Sequence, residues 1–372
     1  MTIVLFIAIL VILVLVHELG HFLVAKRSGI RVDEFGLGYP PRIWGKKIRE
    51  TTYSINALPF GGFVKIFGED LEEEAKTGPE AQKSFALQSK WIQVAVLAAG
   101  IFFNLIFAWL IISSGYIVGV PASIESTLGK VTNPHLEIVE VLPKSPAANA
   151  GIKLGDLITS LSINAAASNG SNLNTLTDPS PEKVSTFVAA HQNDDIKITF
   201  VRNGITKESV LKPAPGLVEG QKVIGISMDM VGTLKLSFFK ALWVGSQSTW
   251  GMIGAIIFGL ATLFGNLFQG HGDFSQVAGP VGIAHLVGDA RSLGWSYVLS
   301  FTAFISINLA VVNLIPFPAL DGGRILFVII EALRRKPISG KVAGTVNFIG
   351  FAILIALMLV VTFHDVLKLI IK

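Results

Sequence analysis

The sequence predicts an α-helical polytopic membrane protein of four transmembrane helices with an α/β domain inserted between the second and third. Three observations carry this. Four apolar stretches are each long enough to cross a bilayer, short alternating segments lie between the second and third, and basic residues crowd into two of the connecting loops. Hydrophobic residues make up 51% of the 372 positions and charged residues only 15%, with a mean hydropathy of +0.61, well above an ordinary soluble domain. Cysteine is absent, which excludes disulfides and leaves nitrogen and oxygen as the metal-binding atoms.

The four stretches are roughly residues 2–25, 91–120, 297–327 and 342–363, each near or above the roughly 20 apolar residues a bilayer demands. The first carries no charged side chain from Met1 to Val16. It lacks a basic leader and a small-residue cleavage site, so it reads as a retained span and not as a cleaved signal peptide. Residues 91–124 and 342–363 contain no Lys, Arg, Asp or Glu, and the third stretch is uncharged from Ser292 to Leu320. The loop after the first span holds Lys26, Arg27, Arg31, Arg42, Lys46, Lys47 and Arg49, and the loop before the fourth holds Arg334, Arg335, Lys336 and Lys341. By the positive-inside rule both loops are cytoplasmic, which puts the termini and residues 121–296 outside. The same rule accounts for the basic residues, so no nucleic-acid binding is inferred. A fifth uncharged segment, within 238–268, would turn the 334–341 loop outward if it spanned. It is therefore read as an interfacial or re-entrant helix.

Residues 131–230 alternate apolar and polar in short runs, as at 135–141, 196–201 and 223–228, and read as strands. Residues 181–191 read as a short helix and 164–180 as a polar surface insertion. The organisation is thus an N-terminal membrane core (1–120), an inserted extracytoplasmic domain (121–235), an interfacial or re-entrant segment (236–296) and a C-terminal membrane core (297–372).

Chemistry enters at His17-Glu18-Leu19-Gly20-His21, inside the first span. On a helix the two histidines are i and i+4, so their imidazoles leave one face and can grip one metal ion. Glu18 lies beside them, where a carboxylate can take a proton from metal-activated water. Ionisable groups at membrane depth are costly and point to function. The motif therefore reads as a zinc hydrolase site set in a bilayer, short of one protein ligand. The only other acid within a predicted span is Asp321, late in the third. His17 and Asp321 reach similar depth if both spans enter from outside. The competing role for Asp321 is a helix N-cap after a proline break. Pro316 and Pro318 interrupt the third span just before it, and Gly322 and Gly323 permit close backbone approach. Asn308 and Asn313 add amides for a substrate backbone or for interhelical hydrogen bonding.

Taken together, these residues resemble the site-2 protease family of intramembrane zinc metalloproteases, in its bacterial regulator-of-sigma-E form. The markers are residues 17–21, the stretch from Asn313 to Gly323 and Gly279-Pro280-Val281-Gly282-Ile283. The resemblance implies Zn²⁺ held by His17, His21 and Asp321, with Glu18 as catalytic base and Asn308 and Asn313 holding substrate. It further implies that residues 53–66, with Gly61 and Gly62, form a membrane-re-entrant β-loop whose edge strand can pair with an extended peptide. An ordinary cytoplasmic hairpin is the alternative. Residues 99–104 resemble a family motif in the second span, with Ile101 where the family commonly has Pro. Residues 142–152 and 154–158 resemble a PDZ domain, present once where related proteins carry two, which leaves peptide capture and a spacer or steric filter as alternative roles. The function implied is cleavage of transmembrane segments of single-pass membrane proteins, such as anti-sigma factors or signal-peptide remnants. Its setting is the bacterial inner membrane, downstream of a site-1-type protease in some systems. The rival reading is an inactive membrane-protein binding module, which predicts loss of Glu18 or a ligand; none is lost.

Overall fold

A computed structural model describes residues 1–69, 77–163, 175–218, 221–269 and 277–370. Residues 164–174 of the expected polar insertion lie outside them. The chain forms two compact units. One comprises Met1–Ser114, Leu242–Arg291 and Tyr297–Lys372, the other Gly115–Ala241 with Ser292–Ser296.

The first unit begins with α1 (Thr2–Arg27), then β1 (Val32–Ile48), β2 (Thr51–Ile66) and α2 (Lys90–Val118). β1 and β2 are bent, so they pair along three stretches. Residues 42–48 lie opposite 51–56, residues 34–37 lie opposite 52–55, and 32–37 also lie opposite 62–66. The expected simple hairpin is therefore a sheet folded on itself, with 61–66 along one margin. α1 and α2 run antiparallel, since His21 bonds to Val96 and His17 to Asn104. Ala25, Ile30, Val32, Ile66, Phe85, Val96, Leu97 and Val328 form a core that joins the sheet to the helices. Lys26 and Lys83 both donate to Glu50 and hold its carboxyl below the usual carboxylate range, Lys26 contributing most.

The second unit contains β3 (Val120–Ser123), β4 (Val131–Val141), α3 (Pro146–Asn149), β5 (Leu157–Ile163), β6 (Thr175–Leu176), α4 (Pro181–Ala190), β7 (Ile196–Arg202), β8 (Ile205–Leu211), β9 (Ala214–Val218), β10 (Gln221–Val223) and β11 (Ile226–Leu234). Its main sheet has the order β3-β11-β4-β5-β7-β8, with β6 on β5. Ile196, Ile198 and Phe200 are buried while Lys197 and Thr199 are not, the period-two pattern of a half-buried strand. These residues pack with Val184 and Val188 of α4. The start of α4 is set by Ser180, whose hydroxyl accepts from Lys183 N, and by Pro181 at the first helical position. Asp156, fully buried, takes both arms of Arg202 at 2.6 Å. That pairing explains the Gly155-Asp156 dipeptide as structural.

The remaining helices are α5 (Phe238–Phe268), α6 (Pro280–Leu293), α7 (Trp295–Leu314), α8 (Asp321–Arg334) and α9 (Gly340–Ile370). One expectation is corrected here. The third stretch, read as one span over 297–327, is two helices separated by residues 315–320. Pro316 and Pro318 supply no N–H to continue the ladder, and Ala319 takes a left-handed φ of 74°. Among the described residues, five helices (α1, α2, α5, α7 and α9) are long and apolar enough to cross a membrane by length and composition; α5 is the segment expected to be interfacial or re-entrant. α5 is continuous over 31 residues, and its Ile256 packs with Ala108, Ala303 and Ile307 of α2 and α7.

The Gly279–Ile283 motif also has a structural role. Gly282 N donates to Asp365 Oδ2 at 2.8 Å. A methyl group at Gly282 would lie 3.0 Å from both oxygens of that carboxylate, so glycine lets α9 present Asp365 to the positive end of α6.

Candidate metal centre

α1 places His17 and His21 one turn apart on a buried face, each 7% exposed. Helix α2 lies against them through glycines. A methyl group at Gly20 would stand 2.5 Å from Ala99 O, and one at Gly100 would stand 2.7 Å from both His17 Cε1 and His21 Cε1. Small residues at the crossing let two apolar helices approach this closely. His21 Nδ1 then donates to Val96 O at 2.8 Å. That bond fixes the proton on Nδ1 and leaves Nε2 as a lone pair.

Asp321 reaches the same point from α8. It is the first residue of that helix; the N-cap is Leu320, and no side chain caps the end. The capping role is therefore excluded, and the carboxylate turns to the histidines. Gly322 and Gly323 make this turn feasible, because a Cβ at either position would collide with the carbonyls of the 314–317 segment. Asp321 Oδ2 lies 2.9 Å from His17 Nε2 and 3.5 Å from His21 Nε2, and the two Nε2 atoms are 3.1 Å apart. All three ligating atoms fall within 4.8 Å of one another. Oδ2 is buried without a hydrogen bond of acceptable alignment. Facing imidazole nitrogens and an unsatisfied carboxylate oxygen can hold a metal ion between them, and two nitrogens and one oxygen suit catalytic zinc with an open position.

Glu18 borders the same site. Gly62 on β2 passes beside it, such that a methyl group there would lie 3.8 Å from Glu18 Cγ. Gly61, with φ of 109°, and Gly62 both face Val14 of α1. The expected β-loop therefore does stand against the motif.

Asn308 behaves differently. Its Nδ2 donates to Phe304 O, one turn back in α7, at 2.9 Å. Asn313 is half-buried in the last turn of that helix. Neither enters the cluster. Other residues join the frame without having been foreseen. Ser306 Oγ donates to Asn104 O at 2.8 Å, tying α7 to α2 at the level of His17. Arg324 of α8 pairs with Glu69 beyond β2, and Lys90 at the start of α2 pairs with Glu331 at 2.5 Å. Ser306 and Arg324 carried only the weak signal of polar residues close to the site motif; Glu69 carried none.

A His-Glu-x-x-His helix among apolar helices, completed by an aspartate some 300 residues later, defines a zinc metalloprotease of the multi-pass membrane type. The chain belongs to Peptidase family M50, whose sequence profile matches residues 5–357. It is 31% identical over 444 aligned positions to the Regulator of sigma-W protease RasP of Bacillus subtilis, covering 99% of each chain. It is 30% identical to the Zinc metalloprotease RasP of Bacillus licheniformis, again over 99% of each. A provisionally named zinc metalloprotease of Clostridium acetobutylicum is 33% identical over 95% of this chain and 94% of its own.

Proposed function

We propose that this metalloprotease cuts peptide bonds inside transmembrane segments of single-pass membrane proteins, among them anti-sigma factors or signal-peptide remnants. The observation that carries the proposal is the convergence of His17, His21 and Asp321 within helices α1 and α8 of the apolar unit, next to Glu18 and the β2 margin. A peptide bond in a lipid-buried helix is already hydrogen-bonded, so it must be unwound before attack. The 61–66 margin of β2, which pairs on one side with 32–37, supplies backbone groups to hold an extended segment. Gly61 and Gly62 keep the approach to Glu18 clear of side chains. His17, His21 and Asp321 would hold zinc, which when bound would supply the Lewis acidity that lowers the pKa of water toward neutrality. Glu18 accepts that proton and delivers it to the leaving amine. His17, His21, Glu18 and Asp321 supply the polar groups that would admit water at this depth.

The test is cleavage by the purified enzyme of a single-pass substrate, with the cut mapped by mass spectrometry. A cut inside the transmembrane segment is expected. A substrate shorn of its external portion should be cut faster than the intact one, as for an enzyme that follows an upstream protease and screens ectodomains with a PDZ-like 121–235 domain. Cuts confined to exposed loops would overturn the proposal.

For topology we keep four full crossings in a bacterial inner membrane. The start of α5 lies beside the second half of α2, through Trp109 Nε1 donating to Leu242 O at 3.0 Å. α6 lies by Thr2 at the start of α1 and by Asp365 near the end of α9. Because α1 and α2 are antiparallel, α5 begins and α6 sits at one end of the bundle. A full crossing by α5 would turn the basic 334–341 loop outward, against the positive-inside rule. α5 is therefore immersed without crossing, and the 334–341 loop stays cytoplasmic. Cysteines placed in that loop of this cysteine-free chain should resist an impermeant external reagent; labelling from outside would refute the arrangement.

A further inference from the structure

We propose that Asn104 is a positioning residue of the metal centre, its carboxamide oxygen accepting a hydrogen bond from His17 Nδ1–H and so presenting Nε2 to the metal. This rests on the reading of His17 as a ligand. Asn104 is fully buried. Its Nδ2 lies 3.2 Å from His17 Nδ1, while its Oδ1 is buried with no hydrogen-bond partner. An amide nitrogen donating to Nδ1 would require the imidazole proton on Nε2, the atom that faces Asp321 and His21. Such a ring has no lone pair for a metal.

The oxygen and nitrogen of a carboxamide are interchangeable in shape, and their assignment follows from the hydrogen-bond network. A half-turn of the amide brings Oδ1 to His17 Nδ1, gives the orphaned acceptor a donor and frees Nε2. His17 then matches His21, whose Nδ1 already donates to Val96 O. Val96, Gly100 and Asn104 follow one another at four-residue intervals, one stripe of α2 facing α1. The outer two hold the rings, and Gly100 lets the rings touch the helix. The Asn104 backbone is itself held by Ser306, so the amide meets His17 at a fixed level. Such outer partners orient a ligand and raise its basicity.

The experiment compares full-length wild type, Asn104→Leu, Asn104→Asp and His17→Ala for zinc affinity by chelator competition. ¹⁵N NMR of histidine-labelled protein reads which ring nitrogen carries the proton, the His17 signal being assigned by its loss in His17→Ala. Asn104→Leu should bind zinc roughly 10–100-fold more weakly, and Asn104→Asp, which can only accept, should stay within about 3-fold of wild type. In wild type His17 should be protonated at Nδ1. Unchanged zinc affinity in Asn104→Leu overturns the proposal, as does loss in Asn104→Asp equal to that in Asn104→Leu. If Asn104→Leu does not fold, the Asp variant and the NMR decide alone. Zinc retained by His17→Ala would instead sink the ligand set, a separate outcome.

Discussion

Glu18→Gln is expected to bind zinc as the wild type does and to lose about 10²–10⁴-fold in turnover, the usual contribution of a general base. Glutamine keeps the size of the side chain and its place next to Gly62 but cannot take a proton. The proposed ligand atoms belong to His17, His21 and Asp321, so the substitution leaves the metal's holders untouched. The two halves of the result separate two roles. Zinc content by elemental analysis reads the ligands, and cleavage of a single-pass substrate reads the base. Near-normal cleavage by purified Glu18→Gln protein would remove Glu18 from the mechanism.

Replacement of His21 by Ala should have the opposite signature, with metal and activity lost together. Two interactions disappear at once, the Nε2 ligand and the Nδ1 bond to Val96 O that tethers α1 to α2. Outer partners of metal ligands cost 10–100-fold in affinity when removed, so loss of the ligand itself should exceed about 100-fold. Asp321→Asn should fall between, since an amide oxygen still reaches the site without the charge. The checking measurement is zinc retained after dialysis, read beside the helical circular dichroism signal. Full zinc occupancy in folded His21→Ala protein would rule out the ligand set.

Both results bear on residues that were legible before any coordinates. The histidine pair depends only on helical periodicity, and α1 is helical because nothing in Thr2–Arg27 breaks it. Asp321 stood out because a carboxylate is costly in an apolar span, and the two prolines before it marked the break. The short helix expected over 181–191 is present as Pro181–Ala190. Register and side-chain direction were less accessible. A run such as 32–66 shows strand alternation but not that both strands bend and pair along three stretches, because pairing partners lie up to 34 residues apart. Asn308 and Asn313 were candidates by type and position. In the fold Asn308 is engaged by its own helix, which amide chemistry permits at any helical position.

The sequence by itself determined the class of protein, the apolar helices and the strand-rich insert, and it offered His17, His21 and Asp321 as candidate ligands with Glu18 as candidate base. Each of these depends on composition or on spacing within a few residues, where local geometry is nearly independent of context. Only the tertiary structure decided that Gly100 admits both imidazoles against α2, that Gly62 brings the sheet to Glu18, that Arg324 clamps Glu69, and that Asn104 stands at His17. The physical reason is that ring orientation and proton position are set by contacts between residues 75 and 87 positions apart. Such contacts depend on how closely two backbones approach, and sequence encodes that approach only through glycines whose partners it does not name.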